Sequence, residues 1–359
     1  MKEKCVPVFM DVTWGAGGST SELTMDLVRF IKESGCVANM HLTCTNMDPD
    51  MVKAAVADCR KYGITNIVAL RGDAPSGEGE WKMKEGGFAC ALDLVKYIRA
   101  EFGGEFGLSV AGYPEGHPNA ISVLKEGEEE KLTEAEKLRC SKSKNSEGEV
   151  VTCVCFDDDY AKEMSYLKEK VDAGADFIIT QMFFDSQVFV DFVANCRKIG
   201  INVPIVPGIM CINNYGGFFR MTSFCKTRVP PSVISEMEKR KDDEESIKTY
   251  GVEFGTELCK KLVESGAPCV HFYTLNLEKV VYGILDGLGW TKELSKSIED
   301  ADKDEKTMKA VGSAWARPGD EVMSMFGKGI VKEIRSDGES HNDVPLHRAC
   351  VPLSVFGVC

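Results

Sequence analysis

Asn66-Ile67-Val68-Ala69-Leu70-Arg71-Gly72-Asp73 decides how this chain is read. Asn66 leads into a continuous apolar run, Ile67 to Leu70; the segment, short enough for a strand and preceded by the breaker Gly63, fits a strand buried on both faces, and such strands belong to parallel sheets. The run then turns polar in one step. Glycine permits a tight turn and close approach by a ligand, a guanidinium grips phosphate bidentately, and a carboxylate addresses a second group. Those are the parts a dinucleotide needs at a strand end, although one such tripeptide is also how a strand simply exits to solvent.

Outward from this segment the same form recurs. Strands are predicted over Val6–Trp14, Ala38–Cys44, Phe106–Tyr113, Phe177–Phe184, Val203–Ile209 and Cys269–Leu275. Stretches of helical period separate them, with their own start and stop signals. Asp48 before Pro49 is an N-cap with proline at the first helical position, and Gly63 closes that helix. Gly35, Gly174, Gly200 and Gly266 stand where left-handed C-caps are expected, each just before a strand.

Strands alternating with helices leave an open doubly wound sheet or a closed barrel. An open sheet concentrates its site at one switch point, whereas a barrel assembles it from many strand ends. Thr13, His41, Arg71 with Asp73, Tyr113, Gln181 and Tyr273 all fall at or just past predicted strand C-termini. The expected fold is therefore α/β, a (β/α)8 TIM barrel, over residues 1–290. Residues 119–158 form a charge-rich insertion, expected to be a solvated loop. Residues 291–359 read as a polar linker and tail.

Bulk properties narrow the function. Of 359 residues, 43% are hydrophobic and 28% charged, without an apolar run approaching the roughly 20 residues that span a bilayer. No membrane partner is expected. Nothing near Met1 resembles a secretory signal, so a cytoplasmic location is expected. The net charge of -13 argues against nucleic acid, which needs a basic face. The fifteen cysteines are scattered, several in apolar segments (Cys36, Cys59, Cys196, Cys259), and read as buried thiols rather than disulfides. With five histidines and no Cys-x-x-Cys pair, no metal site is expected.

Other positions carry weaker signals. His41 alternates within its strand, where a core histidine is the commoner occupant. In Ala111-Gly112-Tyr113-Pro114-Glu115-Gly116-His117-Pro118, two prolines and two glycines fix a loop presenting an aromatic ring and an imidazole, on which a flat ring system can stack. Lys170 ends a helical run and reads equally as a surface lysine. Gln181 interrupts an apolar strand, so its amide must be satisfied, and a heterocycle with paired donor and acceptor sites does this. Gly15-Ala16-Gly17-Gly18 lacks the third glycine of a Rossmann fingerprint, since position 20 is Thr20.

Taken in order, Asp11-Val12-Thr13-Trp14, His41-Leu42-Thr43-Cys44, Ala69 to Asp73, Ala111 to Pro118, Lys168 to Gln181, Pro207-Gly208-Ile209 and His271-Phe272-Tyr273-Thr274-Leu275-Asn276 resemble the catalytic domain of methylenetetrahydrofolate reductases of eukaryotic type. The resemblance runs from about residue 6 to 290. It implies FAD at the strand C-termini, reduced by NADPH or NADH and reoxidised by 5,10-methylenetetrahydrofolate in ping-pong fashion. It assigns Thr13, His41, Arg71, Gly72, Asp73, Ala91, Tyr113, His117, Glu163 and Lys170 to FAD, and Gln181 and Tyr273 to folate. Asp73 would act by tuning the flavin, since a carboxylate near its pyrimidine edge disfavours the anionic reduced form. The implied partners are a folate and a nicotinamide nucleotide, with self-association into a homo-oligomer.

Two departures from the family pattern stand out. The family's general-acid glutamate ends a first strand, and this chain begins at what corresponds to the second, so a barrel missing its N-terminal strand, with a gap in its wall and impaired folate turnover, is the alternative expectation. Leu277 stands where many relatives carry arginine. No regulatory domain is recognisable after residue 290. A zinc-dependent methyltransferase barrel would need thiolates at strand ends, and Cys44 alone does not supply them.

Overall fold

The computed structural model describes residues 7–14, 20–44, 47–72, 85–125, 127–144 and 149–291, together with short strand segments further on. Strand β1 (Met10–Val12) is followed by α1 (Ser21–Glu33), β2 (Ala38–Thr43), α2 (Pro49–Tyr62), β3 (Asn66–Leu70), α3 (Ala91–Phe102) and β4 (Gly107–Gly112). An excursion contains β5 (Ser122–Val123), α4 (Glu134–Leu138), β6 (Ser141–Lys144) and β7 (Val150–Val154). Alternation resumes with α5 (Asp157–Asp172), β8 (Phe177–Thr180), α6 (Ser186–Lys198), β9 (Ile205–Val206) and β10 (Gly208–Met210). Helices α7 (Tyr215–Phe224), α8 (Pro231–Arg240) and α9 (Glu244–Glu264) then lead to β11 (His271–Tyr273) and α10 (Lys279–Gly287). Strands β12 (Lys309–Ala310), β13 (Glu321–Ser324), β14 (Gly327–Ile334) and β15 (Ser340–Asp343) form a separate sheet, and β16 (Leu353–Val355) joins the main one.

Local chemistry places the helices where the sequence predicts them. In α2 the Asp48 side chain accepts from Asp50 N at 2.9 Å, Pro49 occupies the first turn, and Gly63 ends the helix at φ +65°. Its buried residues Val52, Ala55, Val56 and Cys59 follow the i, i+3, i+4, i+7 stripe that packs against the sheet. Gly35, Gly174, Gly200 and Gly266 all adopt the positive φ expected of them.

The main sheet is parallel throughout, in the order β10-β11-β16-β1-β2-β3-β4-β8-β9. Its two terminal strands, β9 and β10, are separated in sequence only by Pro207. The sheet therefore curls until its ends meet in the segment Ile205–Met210. The single strand expected over Val203–Ile209 is split there because proline offers no N–H to the ladder; the Pro207 carbonyl still accepts from His271 N at 2.9 Å.

The gap expected beside β1 is filled. Leu353–Val355 pairs with β1 in the register Met10↔Leu353 to Val12↔Val355, and with β11 in the register Phe272↔Leu353 and Tyr273↔Ser354. Two strand edges with unmet N–H and C=O groups attract any apolar extended segment the chain can bring to them.

The segment 119–158 also differs from the solvated loop expected of its charge. Strands β5, β7 and β6 form an antiparallel sheet, and α4 begins with a capping box in which Thr133 and Glu136 satisfy each other's backbone N–H. Its polarity serves internal bonds: Glu136 also accepts from Asp157 N, and Arg139 donates to Cys155 O and pairs with Asp157. Cys59, Cys196 and Cys259 are buried free thiols as expected, and Cys36 is half-buried. Among the described residues no helix is long and apolar enough to cross a membrane.

The core has three clusters. A large outer one lies between helices and sheet, a second gathers Met182, Phe184, Met210, Ile212 and Phe218 with residues of α8 and α9, and a small inner one gathers Phe9, Val68, Phe177, Ile179, Val206 and Cys269 from inside the curl. The inner cluster fixes which strand faces point inward, and thereby which side chains meet at the strand ends.

Candidate functional site

Side chains alternate along a strand, so Phe9 in the inner core puts Asp11 and Thr13 on the same face, one and two steps nearer the C-terminal end. Asp11, almost wholly buried, meets two buried histidines: its Oδ2 lies 3.3 Å from His41 Nε2 and 3.4 Å from His271 Nε2. Burial pushes His271 down to about 4, Asp11 opposing and His41 reinforcing the fall. Its ring stacks on Phe9 and meets Tyr273 edge-on at 4.9 Å. The Tyr273 hydroxyl donates to Thr180 O at 2.7 Å, and burial raises its pKa. This packing requires glycine at 208, where a Cβ would lie 2.2 Å from Thr180 O and 2.5 Å from the Tyr273 ring.

A second group assembles where β3, β4 and α5 converge. Lys170 in the last turn of α5 is buried, donates to Ala111 O at 2.8 Å, and lies 4.9 Å from the centre of the Tyr166 ring. Burial pushes it down to about 8 against the pull of Glu163 and Cys90. His117 accepts from Asn119 N on Nδ1 and packs edge-on to Tyr113 at 4.6 Å. It is driven down to about 4 by burial and then by the cations Arg71 and Lys170. Burial raises the Glu163 carboxyl, with Lys170 and Arg71 opposing. Two cations and one carboxylate thus share a spot bordered by an imidazole and a phenol.

The groups are continuous. Tyr113 and Asp11 both raise the Tyr273 pKa, and Tyr113 lines one small cavity with Gln181, Glu115 and Thr227. Gln181 Oε1 accepts from Met182 N at 3.0 Å, leaving its NH2 as the exposed function of the amide. Gly72, at φ +86°, sits so close to Thr43 that a Cβ would come within 2.7 Å of that residue's Cβ. Ala91 is the first residue of α3, directly after Cys90, which reaches Lys170 electrostatically. Thr13 directly follows β1, and its carbonyl accepts from the Thr24 hydroxyl at 2.9 Å. Arg71, Tyr113, His117, Glu163, Lys170, Gln181, Tyr273 and His41 are thereby brought together; Asp73 lies outside the described residues.

Sequence reasoning passed over Asp11, His271, Glu115 and Tyr166 as individual residues. Asp11 and His271 had a usable signal, since each stands two residues before an assigned position, Thr13 and Tyr273, and so shares its face. Lys170 had one too: Tyr160, Met164, Leu167 and Lys170 form one helical stripe, and all four are buried.

The chain is thus a parallel α/β protein in which two cations, Arg71 and Lys170, lie near His117 and a cavity lined by Tyr113 and Gln181. The sequence profile defining the methylenetetrahydrofolate reductases matches residues 1–141 and 147–289, and the chain belongs to that family. It is 47% identical to the probable methylenetetrahydrofolate reductase (NADH) of Oryza sativa subsp. japonica, over 81% of this chain and 45% of that one. It is 42% identical to methylenetetrahydrofolate reductase (NADH) 1 of Arabidopsis thaliana, over 95% and 52%. The 5,10-methylenetetrahydrofolate reductase of Escherichia coli strain K12 is 32% identical, over 79% and 81%. The chain spans about half the length of the plant relatives.

Proposed function

We propose that the chain is a flavin-dependent reductase that converts 5,10-methylenetetrahydrofolate to 5-methyltetrahydrofolate with NADH or NADPH as reductant. The observation carrying this reading is the convergence of Arg71 and Lys170 on the Tyr113–His117 pair, next to the Gln181 cavity. The donor set suits FAD: two cations for its pyrophosphate, a glycine at positive φ that lets backbone approach, and aromatic edges for a flat ring. When bound, FAD would supply two-electron hydride chemistry between the nicotinamide nucleotide and the folate.

The chain's own residues bind and orient. Arg71 and Lys170 would neutralise the pyrophosphate, with the Ala111 carbonyl holding Lys170 in place, and Thr13, His41, Gly72, Ala91, Tyr113 and His117 would surround the remainder. Asp73 is assigned the tuning of the ring's electron affinity. Gln181 and Tyr273 would hold the folate, and the two substrates would occupy the site in turn. The same reading takes the curled sheet as a (β/α)8 barrel, with β16, β1, β2, β3, β4, β8, β9 joined to β10, and β11 as its eight staves.

The test is direct. Purified protein should absorb near roughly 450 nm as flavoproteins do, oxidise NADH or NADPH with menadione as acceptor, and reduce 5,10-methylenetetrahydrofolate. Protein that stays colourless after incubation with FAD overturns the proposal.

A further inference from the structure

Asp11 is a buried carboxylate at the strand ends to which the reading above gives no role. In such a place it is costlier than an apolar side chain of the same size unless polar neighbours compensate it. Strand register explains how it meets two histidines. Asp11 lies opposite Asn39 of β2, so His41, two residues further on, is the next inward-facing position toward the strand end. On the other side Asp11 and Tyr273 are both in register with Ser354, which puts His271 at the inward-facing position one step before that level. The carboxylate therefore spans a diagonal, from one layer below its own to one above. Because β16 lies between β1 and β11, the 3.4 Å approach to His271 exists only through the curl of the sheet.

This approach decides how both rings are held. A ring nitrogen without its proton would turn a lone pair toward Asp11 Oδ2, which is repulsive at 3.3 Å and 3.4 Å, so Nε2 carries hydrogen in His41 and in His271. His271 stacks on Phe9 with ring centres 6.1 Å apart, and it is neutral at pH 7 because burial takes its pKa to about 4. Its ring lies edge-on to Tyr273 at 4.9 Å, while Tyr273 is fixed by its bond to Thr180 O and closed in by Gly208. One oxygen thus borders both a side chain assigned to the flavin and the ring that backs a side chain assigned to the folate.

We propose that Asp11 is a positioning residue for both ligands, orienting His41 toward the flavin and holding His271 behind Tyr273 at the folate. This rests on the functional reading above and deepens it. Asp11 acts by fixing which edge of each imidazole is presented, and it need touch neither ligand.

Two measurements test it. Two-bond 1H–15N spectra of histidine-labelled, flavin-free protein report the tautomer: at pH 7 His271 should be the Nε2–H form in the wild type and should lose that preference in Asp11→Ala. A wild-type His271 protonated on Nδ1 overturns the proposal. Affinities are then read by FAD fluorescence titration, and by calorimetry of 5-methyltetrahydrofolate on flavin-loaded protein. Asp11→Ala should weaken both by about 10- to 100-fold, the scale of loss when a metal-binding histidine is deprived of its outer partner. Asp11→Asn keeps an oxygen for the two N–H groups and should fall between Asp11→Ala and wild type. Removing the histidine must cancel the effect: Asp11→Ala should change FAD affinity by no more than about twofold in a His41→Ala background, and folate affinity by no more than about twofold in a His271→Leu background. A carboxylate that serves only the fold would lower the urea midpoint and weaken binding by the same factor with or without either histidine, and that additivity overturns the proposal. Where Asp11→Ala does not fold, Asp11→Asn is carried through the same cycles. Unchanged affinities in the Asp11 variants, with His41→Ala and Tyr273→Phe still weakening their ligands, overturn the proposal and leave the functional reading standing; a wild type that binds neither FAD nor folate overturns both.

Discussion

Replacing Lys170 with methionine should make the flavin-free protein more stable and the flavin complex weaker. Lys170 is buried, and the fall of its pKa from 10.5 to about 8 corresponds to about 3 kcal/mol against folding with the ammonium charged. Methionine fills similar volume without charge but forfeits the bond to Ala111 O, worth about 1–2 kcal/mol. The net is a stabilisation of about 1–2 kcal/mol at pH 7, a rise of a few degrees in Tm for a domain this size. Because the folded-state pKa lies below the unfolded one, the burden of the buried charge is full below pH 8 and fades toward pH 10.5; the advantage of Lys170→Met must shrink over the same window. Losing one charge-assisted contact to a phosphate costs about 1.5–3 kcal/mol, or roughly 10- to 100-fold in flavin affinity. Urea unfolding of the flavin-free protein at pH 7 and pH 10, with fluorescence titration of FAD, measures both. A variant less stable at pH 7 that binds FAD as tightly as the wild type would show that Lys170 is there for the fold and refute the electrostatic account.

His271 and His117, both held near pKa 4, should make stability fall as pH drops from about 6.5 to 4, because over that range the unfolded chain takes up protons that the folded one refuses. Urea unfolding at closely spaced pH values should show a shallower fall in His271→Asn than in wild type, and an unchanged slope would exclude His271 as a contributor. Gly208→Ala forces a Cβ to within 2.2 Å of Thr180 O, a backbone atom that cannot step aside, so a loss at or beyond the about 1–3 kcal/mol typical of overpacking is expected, read as a lowered urea midpoint. Ser354→Pro removes an N–H donor from β16, which lies between β1 and β11, and should lower the thermal midpoint by several degrees; an unaltered midpoint would mean that this strand contributes nothing to the sheet.

The parts of the fold legible in the sequence are those set by neighbours along the chain. Asn66–Leu70 was read with its true bounds, and Asp48, Pro49 and Gly63 marked α2 correctly, because caps and strand length are local properties. What escaped reading depends on residues far apart in sequence. Nothing near Leu353 says that it will pair with Met10 on one side and Phe272 on the other. The charge of 119–158 looked like solvation, yet Glu136 and Arg139 are both buried and spend their polarity on backbone and ion-pair partners within the segment. In the site, Arg71, Tyr113 and Gln181 were found because strand ends can be located by pattern. Glu115 was not, because only the fold brings the backbone N–H of Arg228 against one of its oxygens and buries the other.

The direction of the charge shifts separates the site from ordinary stabilising electrostatics. On the surface Glu245, paired with Lys279 and Lys248, is pulled down to about 2, so its partners favour the charged form. Around the strand ends every resolved shift runs the other way: Lys170, His117 and His271 fall, while Glu115 and Glu163 rise, each with burial as the largest cause. Ionisable groups held toward their neutral forms do little for the empty fold, and apolar residues of the same size would pack there at lower cost. Groups of this kind collect where a ligand supplies the missing partners. The pyrophosphate proposed to lie beside Lys170 would be such a partner. It would restore to this buried group the opposite charge that the protein withholds, so a group unfavourable to folding is one with most to gain from binding.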